Sequence, residues 1–358
     1  MEEPAFQRWI PLANQVVRRS LGLRWKDVLS IWTYLPTIPL AEAVALEARR
    51  AGSDTHITLM TDDLWFTSMK ELPLKWLRAP SPVTHAIDSV VTAHVALEGP
   101  GDARRMRDIP PEKFDANAAG GNKQHEPRLR RRVRTVSLGV GRVSPGRAEA
   151  YGLDFERWRA SYEAALAVDL EEIRRAGRAL ARSLSGRKRV QVTTDAGTDL
   201  RFETKPIQPV VSDGIIDATD VRRGFVETSL PAGRVEASID PSSMEGEVHK
   251  ADPVFAMGRT VRGPWFEIHG GKIVASGAAE NEELLTRLLA SSKSSTARFG
   301  WFTVGLNPAA EPFMLDNSIV KDDVGIGLGP HPQLERKAAD PSVSFSATLG
   351  PAILEIGK

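Results

Sequence analysis

Three apolar runs set the fold of the first hundred residues. Val28-Leu29-Ser30-Ile31-Trp32-Thr33-Tyr34 reads as a buried strand. Pro39 opens an amphipathic helix that runs to Arg50, with Leu40, Ala43, Val44 and Leu46 inward and Gly52 just past its end. His56-Ile57-Thr58-Leu59-Met60 is the next strand, and a third spans Ser89 to Leu97 after a helical stretch. Strand, helix, strand at this spacing predicts a parallel sheet with right-handed crossovers.

Residues 98–127 are rich in Gly, Pro, Asn and charge, and predict a long mobile loop. The basic run Arg128-Leu129-Arg130-Arg131-Arg132-Val133-Arg134 follows. It reads first as the solvated start of a strand at 135–140. Its functional reading is a basic lip, with Arg130 and Arg132 holding an acidic peptide or a carboxylate.

Residues 152–184 predict one long helix, whose stripe of Phe155, Trp158, Tyr162, Leu166, Leu170 and Ile173 is packing rather than a cofactor site. From residue 189 the pattern turns to β. Val190–Thr194 and Thr198–Phe202 flank a turn and predict a hairpin. More strands are expected near 223–228, 234–239, 245–250, 265–269 and 272–276, with a helix over 278–292. The expected organisation is an α/β domain of Rossmann-like type over 1–185, including the 98–127 loop, and a β-rich α+β domain over 186–358.

Bulk composition narrows function. The chain has 358 residues, 41% hydrophobic and 26% charged, which is ordinary for a globular protein. Lys plus Arg is 47 against 46 for Asp plus Glu, so a net charge of +1 predicts no nucleic-acid partner. The absence of cysteine removes disulfides, thiolate metal sites and a cysteine nucleophile. No apolar run reaches the roughly 18 residues of a membrane span. Met1-Glu2-Glu3-Pro4 lacks the pattern of a signal peptide, and a cytoplasmic location is expected.

Five stretches, in order, resemble the M29 (aminopeptidase T-like) metallopeptidase family. Ala196-Gly197-Thr198-Asp199-Leu200 is similar to its GTDL hairpin. Thr228-Ser229-Leu230-Pro231-Ala232-Gly233-Arg234-Val235 resembles its N-x-P-x-G-E-V turn and strand, and Ile268–Val274 its following hairpin. Gly300-Trp301-Phe302-Thr303-Val304-Gly305-Leu306-Asn307-Pro308 resembles G-E-x-x-x-G-x-N-P, and Gly325-Ile326-Gly327-Leu328-Gly329 resembles G-T-x-H-x-A-L-G. The resemblance implies the family's fold, its peptide cleft and a homodimer.

An M29 site holds two metal ions through Glu, Glu, His, His and Asp. Laid on this chain, those positions carry Arg234, Trp301, Gly325 and the neighbourhood of Phe345 and Ala347. None can ligate a divalent cation, so the resemblance implies a degenerate member with no cofactor and no catalytic residue. Arg234, Trp301 and Phe345 would then offer a guanidinium and aromatic surface to a bound peptide, or the two aromatics would collapse into the empty site as core. Degenerate peptidase-like proteins of this kind suggest an escort for a precursor peptide in a ribosomal-peptide natural-product pathway.

A second reading keeps an enzyme, either an aminopeptidase or a ring-cleaving dioxygenase. Glu245, Glu247 and His249 alternate along one strand and could share a face as a relocated metal site, with His269 in reach. The plainer reading is an exposed polar edge. His331, in Gly329-Pro330-His331-Pro332, reads as an isolated loop histidine. Gly325–Gly329 lacks a following helix start and is not a nucleotide loop. No G-x-S-x-G elbow supplies a serine nucleophile.

Overall fold

The computed structural model describes residues 4–291, 298–312, 316–331, 333–335 and 345–357. The chain forms two compact units, one of residues 1–155 with 214–230, the other of 156–213 with 231–358. It crosses between them after residues 155, 213 and 230. The division therefore does not fall at residue 185: the helical stretch before it joins the second unit, and 214–230 returns to the first.

The first unit is built on a five-stranded parallel sheet in the order Asp54–Met60, Val28–Tyr34, Ala93–Leu97, Arg134–Leu138, Glu227–Leu230. Leu29, Ile31, Val95, Leu97, Val136 and Leu138, which the register places on one face, are all buried. Helix Ile38–Arg50 supplies Leu40, Ala41, Val44 and Ala48 to the core. Gly52, at φ +83°, turns the chain beneath Trp25, where a side chain would be blocked.

The segment expected to be a loop contains helix Pro111–Arg131. Pro111 sits at its start, and Arg132 ends it in the left-handed conformation at φ 57°. Tertiary contact overrides the poor intrinsic propensity of its glycines. The missing side chain of Gly120 lets the helix press against the Leu77 carbonyl, 2.1 Å from where a Cβ would lie.

Basic side chains of this helix then satisfy backbone carbonyls at the ends of earlier helices. Lys113 reaches the Leu72 carbonyl, Lys123 the Arg78 carbonyl at 3.2 Å, and Arg131 the Asp88 carbonyl. Arg128 pairs with the buried Asp88 at 2.9 Å. The basic run is thus the end of a helix rather than a strand start, and the strand begins only at Arg134, which pairs with Asp27 at 2.6 Å.

The second unit faces two antiparallel sheets against each other. One has six strands, with Arg189–Thr193 and Asp199–Glu203 paired as the expected hairpin. The other has five, in the order Ser346–Pro351, Asp323–Leu328, Phe299–Gly305, Arg234–Ser238, Val210–Ser212. Their inner faces share one core, where the Phe202 and Phe302 rings meet edge-on at 5.0 Å.

The single helix expected over 152–184 is two, Phe155–Leu166 and Leu170–Ser183, because Asp169 caps the second by accepting from the Glu171 amide. Asn307, fully buried, donates to the carbonyls of Ala165 at 3.1 Å and Ala232 at 2.8 Å. Among the described residues, no helix is long and apolar enough to cross a membrane.

Adjacent glycines of helix Pro111–Arg131 give a test of this packing. Gly120→Ala should destabilise the protein by about 1–3 kcal/mol through overpacking. Gly121→Ala, which has open space at its Cβ, should stabilise it by about 0.4–1 kcal/mol. Urea unfolding of the two variants reads the opposite signs.

Candidate functional site

The five-stranded sheet of the second unit has one apolar face and one polar face, and strand alternation sorts them. Val235, Ala237, Phe302, Val304 and Ile326 point into the core. The register places the alternate residues in rows on the opposite face. Arg234 lies opposite Gly305. Glu236 lies opposite Thr303, which faces Gly325, which faces Thr348. Ser238 lies opposite Trp301, which faces Gly327 and then Ser346.

The glycines of this face make room for what lies on them. A Cβ on Gly327 would fall 2.0 Å from the Trp301 indole, so that ring covers the strand. A Cβ on Gly325 would fall 2.5 Å from the Thr303 hydroxyl, and one on Gly305 would fall 1.8 Å from the Val320 carbonyl. The glycine spacing of 325–329 thus serves a crowded sheet face.

At the centre sits Glu236, with 5% of its side chain exposed. Arg234 Nε donates to one of its oxygens at 2.5 Å. His331 Nε2 meets the other at 2.7 Å. His331 Nδ1 accepts from the Gln333 amide at 3.3 Å and the Leu334 amide at 3.1 Å. That fixes the proton on Nε2, which donates to Glu236, and leaves no ring nitrogen free to act as a base. Burial works to raise the Glu236 pKa, but the Arg234 charge and the His331 hydrogen bond outweigh it and hold the carboxyl well below its usual range. Trp301 meets His331 edge-on at 5.2 Å. Arg234 Nη1 also donates to Asp316 at 3.1 Å and Ser318 at 3.2 Å.

One end of the same face gathers a second set of acids. Asp323 is fully buried, and both its oxygens lack a partner among the described residues. Burial raises its pKa, and the nearby Asp252 and Asp322 raise it further, to about 7. Asn317 donates to Asp252 at 2.9 Å.

The positions that the resemblance assigns to metal ligands do not fit a divalent cation. Arg234 is a cation already bonded to Glu236. Trp301 lies flat on Gly327, and Gly325 carries no donor. Phe345 and Ala347 are core residues, with Phe345 edge-on to Phe266 at 5.7 Å. Nor does the alternative cluster assemble. Glu245 binds His269 at 2.8 Å, whereas Glu247 binds His249 at 2.8 Å, two separate pairs on an exposed surface. Among the described residues, no group of three or more His, Asp or Glu is placed to hold a metal. Arg130 is exposed beside Glu126, and Arg132 is exposed and donates to the Val221 carbonyl; both belong to the first unit.

The comparisons agree with this frame. A sequence profile of the thermophilic metalloprotease family (M29) matches residues 158–308, the stretch that contains Arg234, Glu236, Trp301 and Asn307. The family recognised from the motifs is therefore the family that the profile detects. Wild-type AmpT from Thermus thermophilus has a similar fold, with a TM-score of 0.74 at 19% identity over 98% of this chain and 95% of that one. The 2,5-dihydroxypyridine dioxygenase from Pseudomonas putida is also similar, with a TM-score of 0.60 at 11% identity over 99% of this chain and 94% of that one. A comparison with curated protein sequences finds no match.

Glu236, Asp316 and His331 belong to the candidate site and were missed by motif reading. Glu236 had a signal, since it stands two residues from Arg234 on one strand. His331 and Asp316 reach the site through loops and had none.

Three outcomes are expected. Arg234→Ala should destabilise the protein by about 3–5 kcal/mol by leaving the buried Glu236 without its compensating charge. Gly327→Ala should cost about 1–3 kcal/mol alone and much less in a Trp301→Ala background, because the clash is with the indole. Asp323 and Glu236 should shape pH dependence in opposite senses. The Asp323 contribution is full below its unfolded value near 3.8 and is lost as pH rises through about 7. That of Glu236 is present above its unfolded value near 4.5 and is lost on acidification. Thermal melts across pH in chelator-treated buffer should show the neutral-side loss in the wild type but not in Asp323→Asn.

Proposed function

We propose that this chain is a peptidase-derived binding protein that holds a peptide, or a small carboxylate, on the polar face of its second unit without cutting it. The observation that carries this reading is the state of Arg234. Its Nε and Nη1 are committed to Glu236, Asp316 and Ser318, whereas Nη2 has no partner among the described residues. The side chain is 23% exposed. A guanidinium fixed through Nε and Nη1, with Nη2 uncommitted among the described residues, is preorganised for a ligand carboxylate. Trp301 lies on the same face, partly exposed, and offers aromatic surface to an adjacent side chain.

The chemistry of the face favours binding over hydrolysis. His331 is tied at both nitrogens. Glu236 is held charged by an arginine and donates nothing. The finer reading, an escort that presents a precursor peptide to tailoring enzymes as a homodimer, extends this by analogy with degenerate peptidase-like proteins. The enzyme alternative requires several metal ligands in one place, and Glu245, Glu247, His249 and His269 stand as two separate pairs.

Calorimetry against a peptide panel, run beside an assay for released amino acids with added Zn²⁺ or Mn²⁺, tests the proposal. The expected result is saturable binding with no release. Release that depends on the metal would sink it, as would the absence of binding by every peptide. Arg234→Lys keeps a charge beside Glu236 but loses the fork, and should weaken binding by about 1.5–3 kcal/mol. An unchanged affinity removes Arg234 from the site.

A further inference from the structure

The acids at the end of the polar face are not explained by peptide binding. Asp323 exposes nothing to solvent, and neither of its oxygens meets a donor among the described residues. A bare buried carboxylate is costly, and native structures rarely retain one without a proton, water or ion beside it. The nearby charges that act on Asp323, Asp252 and Asp322, are both acidic. Arg234 stands in the same cross-strand row, but Gly305 lies between them with the Val320 carbonyl upon it.

A second, neutral group points to a ligand here. The side-chain oxygen of Asn317 is buried and unpartnered, while the amide nitrogen of the same side chain donates to Asp252 at 2.9 Å. Asp252 is anchored in turn, its backbone amide donating to the Thr348 carbonyl at 2.8 Å. Thr348 faces Gly325, two residues along the strand from Asp323. The Thr303 hydroxyl, also buried and unpartnered, lies over Gly325. The buried atoms left without a partner here, on Asp323, Asn317 and Thr303, are all oxygens.

The structure assigns to Asp323, Asp252 and the Asn317 amide oxygen a buried site for a hard, oxygen-seeking divalent cation of the calcium class. Such ions take carboxylate and amide oxygens together, and can accept both oxygens of one aspartate. The site differs in donors and in place from the ligand positions of the peptidase family. Because Asp323 is sealed from solvent, the ion is structural and has no access to a substrate. It would neutralise the two acids and fix the loop that carries Asp316, Asn317 and Ser318, and so steady the partners of Arg234. The inference does not rest on peptide binding.

The test uses the full chain, stripped with a chelator at pH 7.5. Added Ca²⁺ should raise the melting temperature by several degrees through selective binding to the folded state, and equilibrium dialysis should find one Ca²⁺ per chain. Asp323→Asn should abolish both effects, yet its chelator-treated form should melt no lower than the chelator-treated wild type, because a like-charge repulsion is removed. Wild-type melts that are the same with Ca²⁺ and with chelator overturn the inference and leave Asp323 as a protonated buried acid. A Ca²⁺ response that survives Asp323→Asn overturns it too. Should that variant fail to fold, Asn317→Ala should weaken Ca²⁺ binding by about tenfold, and an unchanged affinity would overturn the assignment.

Discussion

A carboxylate in the middle of a covered sheet face must be kept charged by something, and Glu236 is such a group. Its two oxygens are divided between an arginine two residues away on the same strand and a histidine on a distant loop. Arg234 is held in turn by Asp316 and Ser318. The loops that carry these residues are therefore bound to the sheet through one buried charge. The neighbouring strands accommodate the cluster by giving up side chains, as glycines stand under the indole, the threonine hydroxyl and a backbone carbonyl.

The charge of Glu236 is thus compensated by protein side chains, and that matters for how the family resemblance is read. In a metallopeptidase, carboxylates and histidines on such a face would be compensated by metal ions. Here an arginine supplies the compensating charge, and the histidine spends its only proton on the same carboxylate. Buried ion pairs gain little net stability over apolar packing but lose much when one partner goes. The face is therefore intolerant of single substitutions.

The parallel sheet, the hairpins and the family were legible because period-two and helical patterns, with turn glycines, are local signals. The helix over 111–131 was not. Its Gly120-Gly121 pair and Pro127 argue against a helix, and what holds it is contact with helix ends dozens of residues earlier. In the candidate site, Arg234 and Trp301 were visible because a familiar motif departs at those positions. Phe345 was visible for the same reason, yet it packs into the core. Asp323 could not be singled out, since an aspartate at the start of a strand is ordinary until its burial is known.

The order in which the chain visits its two units has a consequence for synthesis. The fifth strand of the parallel sheet, Glu227–Leu230, follows a long excursion through residues 156–213. An emerging chain cannot close that sheet until this strand leaves the ribosome, by which time two helices and the first hairpin of the other unit are already out. Neither half can be cut away by a single break and remain whole.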